Sequence, residues 1–182
     1  MKYEVIENFL KQDSFDYIKA LIDGNYFQWL LIENPGTSSH HTSYSHKIKQ
    51  PKNTYALYHK LIEKGVHTSP LTSIILSPIL KTLEEKHKYK DVGTNRAKVN
   101  CFFRQNENQQ LGFHKDIEDR TDIKTLILYL DTNDGYTEFM TGERVPTVKN
   151  SALIFPAHEL HQTVTQTDTI FRKNININFK GE

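Results

Sequence analysis

The chain has 182 residues, a formal net charge of +1 and a single cysteine. Near-neutrality excludes the strong positive field that usually marks a nucleic-acid or membrane-surface protein, and one cysteine excludes an internal disulfide. With 37% hydrophobic and 25% charged residues, the composition suits one soluble domain with a sizeable core. Met1 to Leu10 lacks the apolar centre of a signal peptide, and no apolar run approaches the roughly 20 residues that cross a bilayer. A cytoplasmic address without membrane attachment is expected.

Tyr3 to Phe9 reads as a short edge strand or lead-in. Asp13 or Ser14 is predicted to cap a helix through Leu21, with Phe15, Ile18, Leu21 and Ile22 on one face. The apolar run Phe27 to Ile32 reads as a strand, and Asn34 to Pro51 as a long polar loop. Within it, Ser38 to Lys52 is a candidate lid, although a plain surface loop is favoured. Asn53 is predicted to cap a second helix with the stripe Leu57, Tyr58, Leu61 and Ile62, ending near Gly65. Ser77-Pro78 would start a third helix running to about Lys88, since proline suits the first helical position.

After Asp91 the character changes. Lys98 to Arg104, Phe113 to Ile117, Thr125 to Leu130, Tyr136 to Met140, Ala152 to Phe155, Gln162 to Val164 and Ile170 to Phe179 all look like strands. Asn133-Asp134-Gly135 and Thr141-Gly142 read as turns between them. Helices followed by short strands predict a mainly β fold, a sandwich or barrel with the N-terminal helices packed on one sheet. The expected layout is one domain over 1–182. Residues 1–95 would be helical support and lid, and 96–180 the β core with the site.

The last strand is the most legible. Arg172, Asn174, Asn176 and Asn178 alternate with Lys173, Ile175, Ile177 and Phe179. The apolar face can pack on helices. The polar face then looks either into a wet or charged interior or out to solvent, because buried polar groups need partners.

His114 and Asp116 stand two apart, so in a strand they would share a face. One imidazole and one carboxylate are two thirds of the two-histidine, one-carboxylate set that holds Fe(II) and leaves coordination positions open. His161 is the expected third ligand, at a strand end after the Phe155-Pro156 turn, and His158 is the alternative. Structural zinc would want more cysteine than Cys101 offers. The stretch His158-Glu-Leu-His161 spaces its histidines by three, not the four of a zinc-peptidase helix. Alone, His-x-Asp is a weak signal in a chain with nine histidines. The order His114-x-Asp116, His161, Arg172 within a strand-rich half strengthens it.

These motifs carry a resemblance. His114-Lys115-Asp116, Tyr129-Leu130-Asp131, Gly135 to Phe139, Phe155-Pro156, His161 and Arg172 follow the pattern of the iron(II)- and 2-oxoglutarate-dependent dioxygenases. The similar branch is the prolyl 4-hydroxylase-like one, whose short members occur in bacteria and phages. The match spans about residues 96 to 179, and Ile6 to Leu10 before a helix also resembles that branch. The resemblance implies a double-stranded β-helix, or jelly roll, with Fe(II) on His114, Asp116 and His161. Arg172 would grip the distal carboxylate of 2-oxoglutarate, a task that a bidentate guanidinium suits. Tyr129 would add a hydroxyl, and Asn100 and Asn174 would line the pocket. Lys173 is the alternative carboxylate binder, but its parity matches the apolar face. The implied co-substrates are 2-oxoglutarate and O2, with ascorbate as a candidate accessory reductant. The implied reaction yields succinate and CO2 while hydroxylating a C–H bond of a peptide, protein or free amino acid, proline-like by analogy. The competing readings are a cupin-like metal isomerase or small-molecule binder, a jelly-roll binding module that keeps its metal, and a nucleic-acid-directed oxygenase. The last is disfavoured, because no basic groove with stacking aromatics is visible.

Overall fold

A computed structural model of the chain describes residues 3–33, 35, 54–89, 92–118 and 120–181. In chain order these form β1 (Glu4–Ile6), α1 (Gln12–Asp23), β2 (Leu30–Glu33), β3 (Tyr55–Glu63), β4 (Val66–His67) and α2 (Thr72–His87). There follow β5 (Gly93–Phe103), β6 (Ile123–Tyr129), β7 (Asn133–Phe139), β8 (Arg144–Thr147), β9 (Ala152–Pro156), β10 (His161–Val164) and β11 (Phe171–Lys180). The larger sheet has the order β1-β9-β6-β11-β5-β3-β2, with β4 on β3, and the smaller has the order β10-β7-β8. This is the expected jelly roll, mainly β with helices on one sheet.

The alternation in β11 sets the layering. Ile175, Ile177 and Phe179 face one way and join Phe15, Ile18 and Ile22 of α1 and Ile75, Ile79 and Leu83 of α2 in the main core. The other face of the larger sheet turns toward the smaller one. There Ile127, Tyr129, Phe139, Val145, Leu153 and Phe155 form a second, inter-sheet cluster. Arg172, Asn174, Asn176 and Asn178 are all buried on that inner side. The wet or charged interior is therefore the correct alternative for this strand, not a solvent-facing edge.

Several expectations fail for identifiable reasons. The helix expected from Asn53 to Gly65 is instead strand β3. Its register against β5 shifts between Lys60 and Ile62, and this bulge buries Leu61 and Ile62 together. A strand with two adjacent buried residues imitates a helical stripe. Helix α2 begins at Thr72, not at Ser77, and carries Pro78 inside it. Ile75, Leu76, Ile79 and Leu83 are buried on both sides of the proline, which outweighs the backbone bond it removes. Helix α1 starts at Gln12 without a side-chain cap, so Asp13 lies in its first turn. Asn133 to Gly135 belongs to β7 and is not a turn. Residues 1–95 are more than helical support, because β1 to β4 extend the same sheet. Asn53 itself and the candidate lid, Ser38 to Lys52, lie outside the described residues. Among the described residues no helix is long and apolar enough to cross a membrane.

The N-terminal lead-in is clamped to the turn before β9 by Asn150. Its side chain donates to Leu10 O and accepts from Leu10 N, both at 3.0 Å, while Phe9 N donates to Asn150 O at 2.8 Å. Asn150 has φ of 57°, a conformation asparagine tolerates better than alanine. Asn150→Ala should destabilise the protein by about 2–4 kcal/mol, and Asn150→Gly, which keeps the backbone but not the bonds, by about 1 kcal/mol less. Urea denaturation of both variants checks this; equal losses would show that the backbone conformation contributes nothing.

Candidate metal centre

The segment expected as a strand from Phe113 to Ile117 is irregular. It makes one isolated bridge, His114 opposite His161. The two residues exchange both backbone bonds, His114 N to His161 O at 2.9 Å and His161 N to His114 O at 3.0 Å. Further on, Asp116 N and Ile117 N both donate to Ala157 O. Gly112, at φ of 102°, breaks the regular path just before the bridge. His114 and Asp116 therefore converge because each is pinned separately to the β9–β10 region, not because they alternate along a strand.

The outcome is a cluster. One potential ligand atom each from His114, Asp116 and His161 lies within 4.8 Å of the others. His114 Nε2 is 4.0 Å from Asp116 Oδ1, and His161 Nε2 is 3.9 Å from Asp116 Oδ2. Each imidazole is oriented by a backbone carbonyl: Gly112 O at 3.2 Å from His114 Nδ1, and Glu159 O at 3.0 Å from His161 Nδ1. A carbonyl only accepts, so Nδ1 carries the proton and Nε2 presents its lone pair to the cluster. His158 is not in this group, and His158-Glu-Leu-His161 runs from a turn into the start of β10 and is not a helix.

Asp116 is braced on one oxygen. Oδ2 accepts from Thr125 Oγ1 at 2.8 Å and from Asn176 and Asn178 Nδ2, each at 3.1 Å. Oδ1 is left facing Arg96, 3.5 Å away, and His114. Burial pushes the carboxyl up, but His161, Arg96, His114 and Lys98 together outweigh it and hold it well below the usual carboxylate range. Burial, helped by neighbouring His161, pushes the His114 imidazole down to about 3. The cluster is thus one anion and an uncharged nitrogen donor from His114, with His161 beside them. That chemistry fits a divalent borderline metal such as Fe(II) with one carboxylate oxygen bound.

Arg172 lies further along β11, with 0% exposure. Its guanidinium carbon is 5.7 Å from the ring centres of both Phe102 and Tyr129. Nε donates to Thr147 Oγ1 at 2.8 Å, but neither Nη1 nor Nη2 has a partner among the described residues. Space beside it is tight at Gly135, where a Cβ would lie 3.0 Å from Arg172 Cδ, Asn133 Oδ1 and Val164 O. Tyr129 hydroxyl pairs with Thr137 Oγ1 at 2.8 Å. Lys173 points the other way, to Asp23 of α1, so it is not the carboxylate binder.

A cavity of about 540 Å³ adjoins the cluster. His114, Asp116, His161, Asn100 and Asn174 line it, and Asn100 Nδ2 donates to Asn174 Oδ1 at 2.9 Å. Arg172 and Tyr129 stand behind this lining and do not reach the cavity surface. Three kinds of residue escaped the sequence reading. The braces Thr125, Asn176 and Asn178 were not assigned to Asp116. Thr147 lies on β8, a strand not anticipated. The third kind is the cavity-lining pair Arg96 and Lys98. Their signal was present: Arg96, Lys98, Asn100 and Phe102 alternate with buried Ala97, Val99 and Cys101 just as the β11 faces do.

The depressed His114 value gives a signed expectation. Unfolded, His114 takes up a proton near its ordinary value of 6.5; folded, it resists until about 3. Its contribution to stability is therefore whole above about pH 6.5 and is lost as pH falls toward 3. Melting temperatures of the metal-free protein should fall across that window, and His114→Gln should flatten the fall; an unchanged slope would remove His114 as its source.

No protein-family model and no curated protein matches the sequence. Solved structures do match the fold. An oxidoreductase of the 2OG-Fe(II) oxygenase family from Burkholderia pseudomallei superposes with a TM-score of 0.70 at 8% identity, covering 98% of this chain and 84% of that one. The viral collagen prolyl hydroxylase of Paramecium Bursaria Chlorella virus-1, in complex with 2OG, gives 0.57 at 16% identity, covering 100% and 97%. A prolyl hydroxylase from Trichoplax adhaerens, in complex with a hypoxia inducible factor peptide fragment, gives 0.58 at 10% identity, covering 98% and 83%. The jelly roll of this chain is therefore the fold of 2OG-Fe(II) oxygenases and prolyl hydroxylases.

Proposed function

We propose that the protein is an Fe(II)- and 2-oxoglutarate-dependent dioxygenase, a single oxygenase domain over 1–182, acting in the cytoplasm on a C–H bond of a peptide, protein or amino acid. The observation that carries this reading is Arg172. Two guanidinium nitrogens are buried without a partner at the far end of the strand that braces Asp116. An unpaired buried cation is costly, and a ligand carboxylate is what a guanidinium fork accepts best. A jelly roll that only bound metal would leave this cost unexplained.

His114, Asp116 and His161 would hold the iron. Together iron(II), 2-oxoglutarate and dioxygen supply the oxidant that replaces a C–H hydrogen with hydroxyl, yielding succinate and CO2. The chain's own residues do the rest. Thr125, Asn176 and Asn178 keep Asp116 Oδ2 hydrogen-bonded, which leaves Oδ1, beside His114, as the freer oxygen for a metal. Gly112 O and Glu159 O keep both imidazole protons on Nδ1. Arg172, with Tyr129 beside it, anchors the distal carboxylate of the co-substrate, and Phe102 shields that anchor from water. Asn100 and Asn174 offer amides to the bound co-substrate from the cavity wall. A peptide target is supported by the peptide-bound Trichoplax adhaerens neighbour, and a proline-like ring by the neighbours' names.

Iron(II) with 2-oxoglutarate should release succinate slowly even without a target substrate. If Fe(II) binds while 2-oxoglutarate neither binds nor is consumed, the isomerase or binding-module reading takes over. Arg172→Met should weaken 2-oxoglutarate binding by about 100-fold while Mn(II) affinity changes by less than about threefold. Calorimetric titration separates the two ligands; comparable losses of both would remove Arg172 from the anchoring role.

A further inference from the structure

The cavity has a cationic wall that touches the metal cluster where Arg96 meets Asp116. Lys60, Lys98 and Arg96 line it. Lys60 and Lys98 are direct partners across the β3–β5 pair, and Arg96 lies two residues along β5 on the same face. Like charges directly opposite in a sheet repel. Glu63 answers Lys60 at 3.3 Å. Arg96 leans on Asp116 Oδ1, the oxygen a metal would claim. Lys98 has no ion pair among the described residues, the nearby pairs being those of Lys60 and Arg96. Burial, then Arg96, pushes its ammonium down to about 8, so it is still mostly charged at neutral pH.

The charge balance of the loaded site makes this side conspicuous. A divalent ion at Asp116 and a dicarboxylate at Arg172 neutralise one another, leaving Lys98 and Arg96 as an unanswered surplus. The plain alternative is a lysine stretching to solvent along apolar surface. Lys98 fits that poorly, because it faces another lysine and stands on the inner face, two positions from Asn100. Elsewhere the cavity is lined by apolar Ile32, Ala56, Phe102 and Leu111.

We infer that the substrate carries a carboxylate close to its target C–H bond, and that Lys98, seconded by Arg96, binds it. This inference rests on the oxygenase reading above. The carboxylate has two sources with the same chemistry, an acidic side chain of a peptide or the free carboxylate of an amino acid. Apolar contacts from Phe102 and Leu111 would receive the uncharged remainder.

The test uses the full chain loaded with Mn(II) and 2-oxoglutarate, whose binding is measured first. The probes are an end-blocked peptide alternating proline with glutamate against its glutamine counterpart, and L-proline against L-prolinamide. In calorimetry, the probe carrying the carboxylate should bind about tenfold or more tighter than its amide counterpart. Lys98→Met should abolish that preference and Lys98→Arg should keep it. Preference in the peptide pair assigns an acidic peptide, and preference in the proline pair assigns a free amino acid. If neither pair shows a preference, or if Lys98→Met retains it, the inference is overturned. It also falls if Lys98→Met weakens 2-oxoglutarate by about tenfold, since Lys98 would then serve the co-substrate. Failure of the wild type to bind 2-oxoglutarate sinks the oxygenase reading instead, and the same probe pairs then judge Lys98 without the co-substrate.

Discussion

Two backbone hydrogen bonds, exchanged between His114 and His161, hold the site together. They join segments far apart in sequence and fix the spacing of the two imidazoles independently of either side chain. Everything nearby refines that junction. Carbonyls at Gly112 and Glu159 set the direction of the rings, and Asp116 is tied down by two backbone bonds to Ala157 O, one from its own N–H and one from Ile117 N–H. A junction of main-chain atoms has few ways to distort, so the spacing of the two histidines comes with the fold.

The same strand meets opposite demands. On one face β11 seals the core under both helices; on the other it buries three asparagines and an arginine. Such a face is tolerable only if its polar groups are occupied. Asn174, Asn176 and Asn178 all have hydrogen-bond partners, though Asn176 Oδ1 is left over. The unmet demand on this face is concentrated at the arginine, which on the proposed reading gives up stability where a bound carboxylate would return it.

What could be read in advance followed regular periods. The β11 alternation and the spacing of His114, Asp116, His161 and Arg172 stood out because they obey simple rules of two and of motif order. What was hidden obeyed no period. A bulge at Lys60 to Ile62 disguised β3 as a helix. An interior proline disguised the start of α2. The four-residue β8, with Pro146 on an edge strand, gave too little apolar pattern to notice. The site residues were legible for a partly mistaken reason: His114 and Asp116 meet through separate anchors around Gly112, not through strand parity. The cationic side of the cavity is legible only from the whole face of β5, because neither Arg96 nor Lys98 completes a motif by itself.

The enclosure of Arg172 has a kinetic side. With no solvent contact and aromatic rings on two sides, its guanidinium is not on the surface that a diffusing molecule first meets. If Arg172 anchors a carboxylate as proposed, capture there would wait for the packing to breathe, and association would be slower than collision alone allows. The same enclosure would make escape wait in turn, lengthening the residence of a bound carboxylate.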